Sequence, residues 1–193
     1  MLRDVQTCMY VTWVSARQTR TPPIGTVSSI VGAHRVPEAI RSLSPMAGPD
    51  YVDLFTMTTG EATRGSAEQW ARAVLEGTPL GRRARSLWRL LGLRLGPSDS
   101  PEYVQGWRIA DRGDTWVRVE TSAWFATGHA VCQVDDGQVS VALFLRYDRP
   151  IAAFIWPPVS VMHRRAMPVL LRQALNAGGP ARRAQRARAD DAG

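Results

Sequence analysis

Lysine is missing altogether from the 193 residues: the 24 basic side chains are all arginine, set against 17 acidic ones for a net charge of +7. An all-arginine set follows from a GC-rich bacterial coding sequence as readily as from a basic function, so the charge is weak support for a nucleic-acid partner. Cysteine is scarce. Cys8 and Cys132 stand far apart with no CxxC or Cys/His spacing, which argues against a disulfide framework or a zinc site and suits a reducing cytoplasm. No apolar run reaches the ~18 residues of a membrane-spanning helix. The longest candidate, 141–156, is broken by Arg146, Asp148, Arg149 and Pro150. The short apolar patch at 8–14 has neither the length nor the cleavage site of a signal peptide, so the chain reads as untargeted and cytoplasmic. There is no GxGxxG, and Ser15, Ser66 and Ser122 lie in no GxSxG. His34, His129 and His163 are too scattered for a metal set, and no cofactor is implied.

What is present is enough apolar material, 45% of the chain, for one core. Residues 1–35, rich in Thr, Ser, Pro and Arg, read as an extension without fixed structure, and 178–193 as an Arg-rich tail. A single domain is expected over 36–177. Its first strand is Tyr51–Thr58, where Tyr51, Asp53, Phe55 and Met57 alternate with Val52, Leu54, Thr56 and Thr58. Two helices follow: one capped by Ser66 with Gln69 three residues on, the other by Thr78 with Pro79 at its first position. Four antiparallel strands come next, at 104–110, 115–124, 129–134 and 138–147, the last two joined by Asp135-Asp136-Gly137. A long helix ends the domain. Pro157-Pro158 leaves two readings, a helix opening at Pro150 and kinking or one starting at that pair, with Met162, Ala166, Val169 and Leu170 on its inward stripe.

The order strand, two helices, antiparallel meander and long last helix resembles the helix-grip fold of the START-like, Bet v 1-like, polyketide cyclase (SRPBCC) superfamily. Within it, Asp50-Tyr51-Val52-Asp53-Leu54-Phe55, Gln105-Gly106-Trp107, the run 144–150 and the run 163–171 are similar to motifs of a bacterial branch known as domain of unknown function 2867. The likeness spans roughly Val36 to Ala177. It implies an α+β domain whose antiparallel sheet grips the last helix around an apolar cavity.

Candidate site residues follow from these placements. On strand 115–124, Trp116, Arg118, Glu120, Ser122 and Trp124 share one face, opposite Val117, Val119, Thr121 and Ala123. If the mixed face lines the concavity, Glu120 is a lone carboxylate beside Arg118 or Arg146; if it faces solvent, it is a surface charge. Trp107, Glu120, Trp124, Arg146, Trp156, Met162 and Ala166 are the expected ligand contacts, and Glu120 and His163 the only candidates for acid–base work. The leading expectation is non-enzymatic binding of a small apolar or amphipathic molecule. A cyclase- or isomerase-like enzyme is the first alternative. The second is binding to an anionic membrane surface or a partner through the basic helix 81–94, where Arg82, Arg83, Arg85, Arg89 and Arg94 oppose Leu80, Leu87, Trp88 and Leu91.

Overall fold

A computed structural model describes residues 22–60, 65–97 and 99–180. Its strands are β1 (Val27–Val31), β2 (Tyr51–Thr58), β3 (Tyr103–Val104), β4 (Trp107–Arg112), β5 (Trp116–Ser122), β6 (Ala126–Asp135) and β7 (Gln138–Tyr147). The helices are α1 (Glu38–Arg41), α2 (Ala67–Leu75), α3 (Pro79–Leu90) and α4 (Ala152–Asn176). All strand pairs are antiparallel and form one open sheet in the order β1-β2-β7-β6-β5-β4-β3.

β7 lies mid-sheet and is apolar on both faces because both are covered. Its inner side chains, Val139, Leu143 and Leu145, join the packing against the helices, while Ala142 and Phe144 meet Val36, Ile40, Val52 and Leu54 on the outer side. The β6–β7 link turns at Gly137, whose φ of 71° is the left-handed conformation that glycine adopts without steric cost. On the inner face α2 and α4 pack beside one another. Trp70 of α2 is fully buried there with Phe55, Val74, Val119 and Leu171, and removing such a ring costs about 3–5 kcal/mol. Both middle helices are capped as their sequences require. The Ser66 hydroxyl accepts from the Gln69 amide while the Gln69 side chain accepts from the Ser66 amide, and the Thr78 hydroxyl accepts from Gly81 N.

Three expectations change and one open alternative is decided. The ordered sheet starts before residue 36: β1 pairs with residues 53–57 of β2, Val27 opposite Met57 through Val31 opposite Asp53. The strand expected over 104–110 is split into β3 and β4, because Gln105 (φ 53°) and Gly106 (φ 91°) fold it back on itself. The last helix opens at Ala152 and continues through Pro157, Pro158 and Pro168. The carbonyls deprived of a donor by the first two, those of Ala153 and Phe154, belong to exposed residues, within reach of solvent. Finally, one member of its expected inward stripe faces outward: Val169 is exposed, whereas Met162, Ala166 and Leu170 line the inner side and Met167, Leu171 and Ala174 are buried beside them. Residues 1–21 and 181–193 lie outside the described residues.

Candidate functional site: a cavity under the last helix

The cavity follows from side-chain size on β6. This strand presents Ala126, Gly128 and Ala130 to the inner face, opposite the small Ala84 of α3 and Ala166 of α4. Other strands of the sheet fill the same layer with Phe55, Trp107 and Leu143, so the two helices ride over a trough that nothing fills. The resulting space is about 310 Å³. Gly128 could carry a methyl group, since a Cβ there would lie 3.4 Å from both Leu145 Cδ1 and the Trp107 ring. The missing side chain on β6 therefore contributes volume and is not forced by backbone strain.

One corner of this apolar space is polar. Asp53, on the inner face of β2, is fully buried and lines the cavity. The Tyr51 hydroxyl donates to its Oδ2 at 2.6 Å, and His163 Nε2, from α4, stands 3.2 Å from Oδ2 and 3.4 Å from Oδ1. The imidazole is held edge-on to Phe55, ring centroids 5.8 Å apart, and tilted against Trp156 at 6.1 Å. Trp156 in turn meets Tyr51 edge-on at 5.2 Å. Burial, reinforced by the Asp53 carboxylate, pushes the Tyr51 phenol far above its ordinary range, so it stays a proton donor. Asp53 fixes the imidazole by taking Nε2–H, which leaves Nδ1 without a hydrogen-bond partner among the described residues. A strand thus brings a carboxylate and a helix brings the ring that faces it.

The expected ligand contacts and the two acid–base candidates divide into two groups. Trp107, Trp156, Met162, Ala166 and His163 all line the cavity. Glu120, Trp124 and Arg146 do not. Because the apolar side of β5, Val117 and Val119, is drawn into the main core, the mixed side with Glu120 points outward. Trp124, half-exposed at the β5–β6 turn, packs on Phe125 and under the Arg149 guanidinium. Arg146 lies on the outer side of β7 and pairs with Asp148 at 3.0 Å; the hydrogen bond from the Thr127 hydroxyl, helped by this guanidinium, holds that carboxyl below its usual range.

On the outer face Glu120 belongs to a different cluster. Its Oε1 accepts from Arg118 Nε at 3.0 Å and lies 3.6 Å from His129 Nε2, while Oε2 faces Arg108 at 3.3 Å. His129 Nδ1 meets the Ser44 hydroxyl at 3.0 Å, and Arg118 donates to the Leu43 carbonyl at 3.0 Å. Ser, His and Glu in a row have the composition of a hydrolytic triad. Here the carboxylate is already taken by two arginines and none of the three lines the cavity, so the row acts as a clasp holding 43–44 against the sheet. Among the described residues no three His, Cys, Asp or Glu side chains converge as a metal site. Cys132 is buried, and burial pushes its thiol up to about 12, which makes it unreactive.

Asp53 is the residue that sequence reasoning passed over. Its signal was present: a carboxylate standing between Tyr51 and Phe55 on the face of β2 that carries Met57, where an unpaired charge would be costly. No family model, curated protein or solved structure matches the chain. No helix among the described residues is long and apolar enough to cross a membrane.

Proposed function

We propose that this protein binds a small, largely apolar molecule in the space between the sheet and α4, in the manner of a helix-grip domain of the START-like superfamily. The observation that carries this reading is the cavity itself: about 310 Å³ walled by aliphatic and aromatic side chains, with its polar groups gathered chiefly in one corner. That volume is at the lower end of small-molecule pockets, roughly 300–1,000 Å³. It suits a compact, ring-sized ligand rather than a two-chain lipid. Asp53 and His163 would receive the ligand's single polar group, and Trp107, Trp156 and Met162 its apolar body.

The test is native mass spectrometry of the protein purified from its own host, which should show a bound small molecule, paired with titration of an apolar fluorescent probe. Ala166→Trp puts a ring into the cavity and should lower probe affinity at least tenfold, about 1.4 kcal/mol. Its stability should fall by only about 1–3 kcal/mol because existing space absorbs the ring. A folded variant that binds as before would remove the reading.

A second reading, acid–base catalysis, is favoured by one observation: His163 is oriented by a buried carboxylate with its other nitrogen unspent. Glu120 plays no part in it. If His163 transfers protons, the molecule extracted from His163→Asn should differ from that held by the wild-type chain in mass or, where the two are isomers of equal mass, in chromatographic retention. Identical adducts in both proteins would leave binding alone.

A further inference from the structure

Where the end of α3, the β5–β6 turn and the first turns of α4 meet, apolar side chains stand in solvent. Leu90 is 83% exposed, Phe154 75%, Trp124 50% and Ile151 42%. The three elements meet at Trp124: a Cβ on Gly92, two residues after Leu90, would lie 3.0 Å from its ring, and Arg149, two residues before Ile151, sits 5.7 Å above that ring. Arg82 and Arg89 are exposed on the same α3, and neither they nor Arg149 forms an ion pair with a described residue. Neither α3 nor α4 contains an Asp or Glu. The surface therefore joins protruding apolar groups to unpaired positive charge of one sign.

We infer that this end of the molecule docks on an anionic lipid bilayer. Leu90, Ile151 and Phe154 would enter the acyl boundary, Trp124 would sit at headgroup depth, and Arg82, Arg89 and Arg149 would meet lipid phosphates. A second copy of the chain is a poorer occupant, because a two-fold interface would bring these arginines face to face with no acidic residue on either helix, and the adjacent Asp148 is already paired with Arg146. The surface adjoins the cavity, whose wall includes Leu91, Phe125 and Ile155 from the same three elements. An apolar molecule dissolved in the bilayer would thus have a short path to it.

The docking stands or falls separately from ligand binding and is tested with the full chain and empty vesicles. Flotation should show binding to phosphatidylcholine–phosphatidylglycerol vesicles, none to phosphatidylcholine alone, and loss of binding at ~0.5 M salt, where exposed charges are screened within a few ångströms. Leu90→Ser/Phe154→Ser and, independently, Arg82→Gln/Arg89→Gln should each weaken vesicle binding tenfold or more with the melting temperature unchanged. Undiminished binding by the Leu90→Ser/Phe154→Ser chain would overturn the proposal, since the arginines of the tail would then suffice. It would equally be overturned by equal binding to neutral vesicles, or by a chain that ignores vesicles and self-associates or captures an acidic protein through this face.

Discussion

At the scale of single residues, Asp53 has no neighbour to spare. It sits fully buried with the Tyr51 hydroxyl and the His163 imidazole as its partners, so each of the three is satisfied only while the others stay in place. Asp53→Ala leaves two half-buried donors, the Tyr51 hydroxyl and the His163 imidazole, without their acceptor and should cost about 2 kcal/mol, the low end of about 1–3 kcal/mol for each buried unsatisfied group. Asp53→Asn keeps the volume and one acceptor and should cost nearer 1 kcal/mol. Denaturant unfolding of the two variants measures the difference, and equal values for Ala and Asn would mean that neither the retained volume nor the retained acceptor counts and that the negative charge alone holds the cluster. The alternation of Tyr51, Asp53, Phe55 and Met57 was legible in the sequence, and it put Asp53 on the same face as three large side chains. What could not be read was its partner, because His163 lies 110 residues further on and no local pattern links a strand position to a helix position. Glu120 failed for the complementary reason. Alternation separated the two faces of β5 correctly, but only the apolar pull of Val117 and Val119 toward the helices decides which face turns inward.

Among the elements, those with strong local signals were readable almost to the residue. β2 and β7 run over the spans their alternation and flanking turns indicate, and α2 and α3 begin at the caps provided by Ser66 and Thr78. β1 carried no such signal. Val27-Ser28-Ser29-Ile30-Val31 has two polar residues at its centre and follows a run of Thr and Pro; it becomes a strand because the edge of β2 offers it unpaired backbone groups. Ile30 then packs on the outer core and Val27 on the inner one. A chain beginning at residue 36 should therefore be less stable than one beginning at residue 22 by about 2 kcal/mol, from two half-buried aliphatic side chains at roughly 1 kcal/mol each. On a protein of this size that corresponds to a melting temperature lower by about 4–8 °C. It should also aggregate more readily, with β2 exposed as a long flat edge. Equal melting temperatures for the two chains would show that β1 is held by the sheet without supporting it.

For the whole molecule, the sheet separates two unlike surfaces: an inner one left partly empty by Ala126, Gly128 and Ala130, and an outer one closed by 36–46 and clasped at His129. The clasp makes global stability depend on pH. Burial lowers the proton affinity of His129, with the nearby Arg118 and Arg146 guanidinium groups acting in the same direction and Glu120 opposing them. The sign of the linkage follows. A depressed folded-state value means that the unfolded chain takes up the proton first as the pH falls. The stability contributed by neutral His129 is thus complete above its ordinary value of about 6.5 and drains away as the pH drops through the folded-state value. Melting curves between pH 7.5 and 5 should show a declining midpoint. His129→Asn, whose side-chain amide can replace Nδ1 as partner to the Ser44 hydroxyl, should lower stability at pH 7.5 and flatten the decline, because the titrating group has been removed. His34 and His163 remain in that variant, so the informative quantity is the difference between the two slopes. Parallel slopes in wild type and variant would mean that the outer clasp is indifferent to protons and that any acid sensitivity lies elsewhere in the molecule.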